Sequence, residues 1–443
     1  MPQTVQIQAD WGQTDSTQID FIKNKPVIYD EWFGIQAEYD QISVKDPNTI
    51  YNIKYEAPEY FYVEDISGAA NTLSIAKNNA NAPTIEVFKS TDTINWESMG
   101  NTDTTPITAT VPANGKLYLK ATATKWGDSQ DRGNTIGCTT GRYNVGGHIM
   151  SLLVGDNFIN ATISSDNTFN CLLRLNNNLI NAGNLRLPTN VKKYSYFGMF
   201  KSCTGLITAP ALPATTLADY CYNSMFQGCT SLTTAPVLPA TTLAGSCYRA
   251  MLDGCTSLTT APALPVTTLA DSCYRYMFNA CTSLTTAPAL PAETLAGNCY
   301  REMFKGCSGL TTAPALPATT LANDCYNSMF NGCTSLVNPP SMSATTIGNS
   351  SCYGMFRGCT SLTASPVLLT ATLADSCYYS MFAGCKNIHT VTTYASDISA
   401  STCLWNWLGD GASATGDFYN LGGATYPTGT NGIPSGWTEH TSL

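Results

Sequence analysis

Apolar side chains recur with a fixed period along the C-terminal half of the chain. A methionine followed by an aromatic residue stands every 26 residues, with one leucine in place of the aromatic; the methionines are Met199, Met225, Met251, Met277, Met303, Met329, Met355 and Met381. Periods of this length are typical of repeat proteins, whose units bury their apolar faces only by stacking. The pattern predicts stacked repeats over residues 195–403, with an N-terminal cap at 146–194 and a C-terminal cap at 404–443.

Each repeat unit is predicted to contain two extended segments and a short helix. Cys229-Thr-Ser-Leu-Thr-Thr-Ala-Pro is a β-favouring run closed by proline, and Leu-Pro-Ala-Thr-Thr-Leu follows it as a second extended run. Cys247, Met251 and Cys255 are spaced four residues apart, which places them on one face of a helix ended by Gly254. A strand side and a helical side in each turn predict an α/β solenoid.

The residues that flank the repeated Cys-Tyr pair differ from unit to unit, whereas the apolar positions barely vary. One interpretation is simple tolerance at an exposed surface. The alternative is a recognition surface for a glycan or other receptor. The candidate residues of that surface are Tyr220, Arg249, Arg275, Tyr276, Arg301, Asn327 and Trp437.

Two further features of the C-terminal half carry expectations. Adjacent strand residues point to opposite faces, so a pair such as Thr233-Thr234 should expose only one threonine, which argues against an ice-binding plane. Trp405, Trp407 and Trp437 indicate a compact terminal cap or, alternatively, rings that stack on sugars.

The N-terminal half shows short β-favouring runs separated by Asn-, Gly- and Pro-containing turns. Examples begin at Thr84, Ile107 and Lys116. Several short strands with regular turn signals are typical of a small sandwich. We therefore expect a β-sandwich over residues 57–145 in a multidomain, β-rich chain.

Two segments near the N-terminus resemble phage structural proteins. Residues 9–26 are similar to the A-D-W-N-Q-T-D…D-(F/Y)-I-K-N-(K/R)-P segment of phage head-fibre proteins, with Gly12 in place of Asn. Residues 32–51 are similar to a W-x-G-T-Q-x-E-Y-D…K-D-x-N-T-I-Y module found in many phage structural proteins. The resemblance implies a virion-anchoring segment at 1–56, with anchor residues Asp10, Trp11, Gln13, Thr14, Asp15, Asp20, Phe21, Ile22, Lys23, Asn24, Lys25 and Pro26.

The repeats themselves resemble the BspA-like branch of leucine-rich repeats. That branch carries an A-F-x-G-C-x-x-L element after a strand, and here methionine replaces the alanine before the phenylalanine. The resemblance implies a leucine-rich-repeat fold for the repeated region. It also keeps open a bacterial BspA-like surface adhesin as an alternative identity.

Composition and charge exclude several classes of partner. Charged residues make up 12 % of the chain and its net charge is −9, with no run of lysine or arginine. A nucleic-acid partner is therefore not expected, since binding phosphates needs a basic surface.

The N-terminus lacks the basic and apolar regions of a secretory signal, and no apolar stretch is long enough to span a bilayer. We expect synthesis in a host cytoplasm and no membrane insertion.

Sixteen of the 18 cysteines, from Cys203 to Cys403, follow the repeat, and the cysteines form no CxxC pairs. Buried free thiols that pack as small apolar side chains are the favoured interpretation, and disulfides between repeats are the alternative. Only three histidines are present, and the chain has no nucleophile elbow, phosphate-binding loop or marked acid pair. No catalytic residue, metal or cofactor is expected.

Taken together, these features predict a phage virion structural protein on the virion surface. The head-fibre resemblance favours a head fibre or capsid decoration protein that presents its repeats to host or mucosal glycans. A tail fibre or receptor-binding protein is the first alternative. The expected partners are capsid or other virion proteins, further copies of the chain in a trimer or dimer, and host-surface or mucin glycans.

Overall fold

The computed structural model describes residues 4–7, 30–35, 49–54, 59–103, 105–129, 132–409 and 411–443. The chain divides into two compact units, Met1–Glu59 and Tyr60–Leu443. In the first unit, β1 (Thr4–Ile7), β2 (Asp30–Ile35) and β3 (Thr49–Lys54) form a sheet. Strand β3 lies in its middle, antiparallel to β1 and parallel to β2.

The second unit begins with two sheets. Their strands are β4 (Tyr62–Asp65), β5 (Asn71–Lys77), β6 (Glu86–Ser90), β7 (Glu97–Asn101), β8 (Ile107–Val111), β9 (Lys116–Ala121), β10 (Gly127–Ser129), β11 (Arg132–Cys138), β12 (Tyr143–His148) and β13 (Leu179–Arg186). One sheet has the order β10-β11-β5-β8, and the other has the order β13-β12-β4-β9-β6-β7. Helix α1 (Ser151–Val154) and a 3₁₀ turn (Gly155–Asn157) lie between β12 and β13.

Alternating burial explains why these segments pair as strands. In β9 every second residue is buried, including Leu117 and Leu119, and β5 buries Leu73 and Ile75 in the same way. A period of two gives a strand one apolar face, and both sheets contribute that face to one buried cluster. The runs predicted as strands at Thr84, Ile107 and Lys116 correspond to β6, β8 and β9.

After β12 the chain enters a stack of turns joined by backbone hydrogen bonds between units. The N–H of Tyr222 donates to the carbonyl of Cys247 at 3.0 Å, and the N–H of Ser224 donates to Arg249 at 2.8 Å. The intervening N–H groups form turns within their own unit. For example, the N–H of Met225 donates to the carbonyl of Tyr222 at 3.2 Å. Alternate N–H groups therefore bind the next unit and the same unit. The pattern starts at Asn167, whose N–H donates to the carbonyl of Lys193 in the next turn.

The predicted helix in each unit is wrong. Tyr220, Ser224 and Gly228 have φ values of 57°, 55° and 74°, and a residue with positive φ recurs at these positions in successive units. An α-helix requires right-handed dihedrals throughout and a bond from every N–H to the carbonyl four residues earlier. Consecutive turns with a left-handed residue every fourth position satisfy neither condition, although they bury the same residues. Within the described ranges, the chain forms α1 as its one α-helix.

The extended side of each unit, such as residues 230–243, pairs less continuously than predicted. The run that starts at Cys229 makes a single parallel bridge, Thr234 to Thr260, in place of a strand. Its prolines lack the N–H that a ladder requires. Longer strands appear at the C-terminal end: β14 (Ala364–Leu368), β15 (Thr390–Thr393), β16 (Gly416–Asn420) and β17 (Trp437–His440), paired in parallel in that order.

Both threonines of the Thr233-Thr234 pair are exposed, so the expectation of one outward threonine is wrong. The rule of opposite faces applies to a regular strand, and here a single bridge replaces the strand. The exposed pairs recur at Thr259-Thr260 and Thr285-Thr286.

Identical residues form ladders through the core of the stack. The rings of Tyr222 and Tyr248 stack with centroids 5.8 Å apart, and those of Phe304 and Phe330 stack at 5.6 Å. All 18 cysteines are buried free thiols. The thiol of Cys229 donates to the carbonyl oxygen of Phe200 at 3.1 Å, and the same contact recurs in successive units.

Candidate binding surface on the turns

The turns present a regular set of outward positions, which we call the turn face. In one unit these are residues 219, 220, 223, 224, 227 and 228, and the other units contribute the residues at intervals of about 26. Two apolar core residues and two turn-face residues alternate along each turn; Cys221-Tyr222 and Met225-Phe226 are the core pairs, and the turn-face residues Asn223 and Ser224 between them are also buried. Since each turn hydrogen-bonds to the next, equivalent outward residues lie in rows across the units.

The rows bring most of the predicted binding residues together but do not expose them fully. Arg249, Arg275 and Arg301 occupy one row in three successive units and are half-buried. Asn327 continues that row but is only 7 % exposed, and it donates to Asp324 Oδ1 at 2.8 Å. The prediction that the pair after Cys-Tyr is solvated therefore fails at Asn327. It fails also at Asn223 and Ser224, because the turns close over these side chains.

A groove crosses the first units of the turn face. Tyr220, Arg249 and Tyr276 are predicted binding residues that line it, together with residues that the sequence did not single out. The complete lining is Phe197, Lys201, Tyr220, Asn223, Ser224, Gln227, Arg249, Ala250, Asp253, Tyr276 and Asn279.

Aromatic rings and cations lie side by side at this groove. The guanidinium carbon of Arg275 lies 4.9 Å from the ring centroid of Tyr276, and that of Arg249 lies 5.9 Å from the same centroid. Arg275 also donates to the Tyr276 hydroxyl at 3.2 Å. At the other side of the groove Tyr220 stacks on Tyr194 with centroids 4.8 Å apart. Such cation–π contacts stabilise charge over a ring by about 0.5–1 kcal/mol at exposed sites.

Asp253 binds two side-chain amides that line the groove with it. Its two carboxylate oxygens accept hydrogen bonds from the side-chain amides of Gln227, at 2.7 Å, and Asn279, at 2.8 Å. Burial raises the pKa of Asp253, and the two amide donors and the charge of Lys201 partly oppose that rise. The carboxylate thereby links three successive units and fixes both amide groups.

The next unit carries a compact network of ion pairs. Arg301 lies 3.4 Å from carboxylate oxygens of both Glu302 and Asp324, and Lys305 lies 2.7 Å from Glu302. Burial acts to raise the pKa of Glu302, but its hydrogen bonds to Lys305, Tyr276 and Arg301 hold the pKa below its usual value. The guanidinium of Arg301 is therefore already engaged with carboxylates of its own chain.

Toward the C-terminus, aromatic residues occupy the row that contains Arg249, Arg275 and Arg301. Tyr353 and Tyr379 stack with centroids 4.6 Å apart, and Trp405 in the following unit is 51 % exposed. Sequence reasoning missed both tyrosines, although steps of 26 residues along the arginine row lead to them. Trp437 is only 8 % exposed and its indole N–H donates to the Ser413 carbonyl at 2.8 Å. Trp437 is therefore part of the terminal packing and not of the turn face.

Other predicted sites can be placed only in part. The anchor residues between Asp10 and Pro26 lie outside the described residues. Among the residues that the structure describes, no three His, Cys, Asp or Glu side chains are grouped so that they could hold a metal ion. Nor does this part of the chain contain a helix with the length and apolar character needed to cross a membrane.

A short N-terminal segment matches a known protein family. Residues 32–54 match a family described as a phage tail tip domain, and this segment includes β2 from Trp32 onward and β3. No curated protein matches the chain. The matched segment indicates a phage structural protein and a location in the virion, without distinguishing head from tail.

Proposed function

We propose that the chain is a non-enzymatic virion protein whose stacked units present the turn face for adhesion to host or mucosal glycans. The observation that carries this proposal is the turn face itself. A backbone ladder holds its outward residues in rows, while the identity of those residues changes from unit to unit. A scaffold of this kind can vary a binding surface without altering the core.

The stack is proposed to be a leucine-rich-repeat solenoid of the BspA-like type. Its units bury the leucine, methionine, aromatic and cysteine positions of the repeat; Leu232, Met225, Phe226 and Cys229 show the pattern. The turns in place of helices are a departure from the α/β form that the sequence predicts. They preserve the burial pattern, which is the property that stacking requires.

A head fibre or capsid decoration protein is the proposed place on the particle. The resemblance of residues 9–26 to head-fibre proteins supports it, and residues 1–56 would then contact the capsid. A tail fibre or receptor-binding protein is the second candidate, and the match of residues 32–54 to a phage tail tip domain is compatible with it. Either place would suit a dimer or trimer, since several copies of a weak glycan site raise avidity by roughly 10²–10⁴.

Two deletions separate anchoring from adhesion. Particles whose protein lacks residues 195–403 should assemble but adsorb poorly to host cells and to mucin. A chain lacking residues 1–30 should fold and remain soluble but should not join particles. Electron micrographs with a label on the protein would show which part of the particle carries it.

Normal adsorption of particles without the repeats, to cells and mucin alike, would contradict the adhesive role. Incorporation of the chain without residues 1–30 at the normal level would contradict the anchor. The intact protein in matched particles is the control for both measurements.

A further inference from the structure

The three arginines of the turn face differ in what they contact. Arg301 pairs with two carboxylates and Arg275 donates to the Tyr276 hydroxyl. Within the described chain the guanidinium of Arg249 makes neither a hydrogen bond nor an ion pair, and it faces the Tyr276 ring. A guanidinium presents five donors in a planar fork that matches a carboxylate. Arg249 therefore offers an anion site that the protein itself leaves unfilled.

The surroundings of Arg249 suit a sugar ring better than a simple ion. Tyr220 and Tyr276 line the same groove from the units before and after Arg249. Aromatic rings have an apolar face that can stack on the C–H face of a pyranose. Binding sites for small organic ligands combine such faces with a few oriented polar groups.

The polar groups of the groove are already oriented by Asp253. The amides of Gln227 and Asn279 each donate one N–H to its carboxylate, at 2.7 and 2.8 Å. Fixing an amide nitrogen in this way also fixes the direction of its carbonyl oxygen, which is an acceptor for a sugar hydroxyl. Asp253 has both oxygens engaged, so its role is to position these two amides.

The charge of the groove contrasts with that of the chain. The protein carries a net charge of −9, yet Arg249 and Lys201 both line the groove, and its one carboxylate is Asp253. A cationic groove on an acidic protein favours an anionic ligand over a neutral one.

We propose that this groove binds a carboxylate-bearing sugar of the uronic-acid class. The inference rests on the adhesive function proposed above and specifies its ligand. Arg249 holds the sugar carboxylate through two parallel hydrogen bonds, Tyr220 and Tyr276 contact the ring, and the amide oxygens of Gln227 and Asn279 accept its hydroxyls.

The repeat itself supplies a matched pair of substitutions for the test. Asn223 and Asn327 occupy the same row as Arg249, so Arg249→Asn introduces a residue that the turn already accommodates. Arg357 lies exposed on the turn face outside the groove, and Asn331 occupies its position in the preceding unit. Arg357→Asn therefore removes the same charge from the same face without touching the groove.

The full-length protein and both variants would be titrated with polygalacturonate, with polygalacturonate whose carboxyls have been reduced to alcohols, and with dextran sulfate. Losing a charged bidentate contact should weaken the affinity of Arg249→Asn for polygalacturonate by roughly 10- to 100-fold. Arg357→Asn should change it less than about two-fold. The carboxyl-reduced polymer should bind as weakly to the intact protein as polygalacturonate does to Arg249→Asn.

Three results would overturn the proposal: equal binding of the carboxyl-reduced polymer, equal loss in the two arginine variants, or dextran sulfate binding at least as tight as polygalacturonate. The first indicates a neutral sugar, and the others indicate unspecific charge. None of them would alter the adsorption defect expected for particles without residues 195–403, so failure of this inference is distinguishable from failure of the adhesive function.

Discussion

The turn side and the extended side of each repeat unit join their neighbours in different ways. On the turn side, alternate N–H groups from Tyr220 to Gly228 reach the next unit, whichever side chains they carry. On the extended side, prolines interrupt the pairing and single bridges such as Thr216 to Thr242 remain. The turn side depends on backbone conformation and the extended side on particular residue types. This difference explains why outward residues vary freely on the turns while the Thr-Ala-Pro and Ala-Thr-Thr runs recur.

The strongest test of the turn side is alkaline pH, because buried cysteines border its turns. Burial raises the pKa of Cys203 and Cys307 to about 12, against 9.0 for the ordinary thiol. The unfolded chain loses these protons above about pH 9 while the folded chain keeps them. Stability should therefore be full below pH 9 and fall as pH rises toward 12, by about 1.4 kcal/mol per thiol at pH 10.

We expect a steep, cooperative drop in the melting temperature between pH 8.5 and 11, measured by circular dichroism. Buried tyrosines such as Tyr196 and Tyr378 have raised pKa values as well, so they add to the fall in the same pH range and above it. Return to pH 7 in the presence of reductant is the control for chemical damage. A melting temperature that stays constant to pH 10.5 would show that the thiols are not buried in the turn-side core.

The sequence predicted which apolar residues of the repeat are buried but not the backbone that buries them. A spacing of four residues among Cys247, Met251 and Cys255 arises equally from a helix and from consecutive four-residue turns. Only the sign of φ separates a helix from such turns. Ser246 and Ala250 have φ of 54° and 52°, and neither residue type favours a left-handed conformation. Glycine occupies the third left-handed position of most units, and this recurrence was the feature of the sequence that could have indicated turns in place of a helix.

The candidate site was predicted in outline only. Variation between units drew attention to Tyr220, Arg249 and Tyr276, and the structure brings these residues to one groove. Gln227, Asp253 and Asn279 were missed because their contact joins three different units. Such a contact depends on the register of stacking, which the period alone does not determine.

Phe304→Ala should destabilise the protein far more than a substitution on the extended side. The Phe304 ring is fully buried and stacks on Phe278 at 5.5 Å and on Phe330 at 5.6 Å. Truncation leaves a cavity and removes two ring contacts, which together cost about 3–5 kcal/mol. Thr320→Ala on the extended side should change the unfolding free energy by less than about 0.5 kcal/mol, because that residue is exposed.

Denaturant unfolding followed by tryptophan fluorescence and circular dichroism would measure both variants. Similar losses in the two would mean that the threonine columns contribute as much as the buried aromatic ladder. The difference between the two sides of the unit would then be one of residue pattern alone.

Gly306 tests the left-handed backbone of the turns directly. Its φ is 73°, and a Cβ placed there would lie 3.7 Å from the backbone of Ala280, an ordinary contact. Gly306→Ala should therefore destabilise the protein by about 1 kcal/mol through backbone strain and not through a clash. Ala280 occupies the equivalent position with φ of 56°, so Ala280→Gly should stabilise by a similar amount. Changes of the same sign in the two variants would contradict a left-handed requirement.

The smallest expected effect is that of reductant, and the contacts of the thiols give the reason. Along the turn side the sulfur of Cys255 donates to the Phe226 carbonyl at 3.2 Å, and Cys333 donates to Phe304 at 3.1 Å. A disulfide would replace such a contact with a covalent bond and would contribute about 2–4 kcal/mol. Free thiols stabilise the fold by packing, and a reducing agent does not remove that contribution to the unfolding free energy.

Adding reductant at pH 7 should therefore shift the melting temperature by less than about 2 °C, since no covalent link is lost. Thiol titration gives the control: few groups should react in the folded protein, where burial keeps thiols protonated and shielded, and all 18 should react after denaturation. The extended side holds no disulfide either, since all 18 thiols are free, so both sides should respond alike. A fall of more than about 5 °C on reduction, with fewer than 18 titratable thiols beforehand, would show that bridges between units hold the stack.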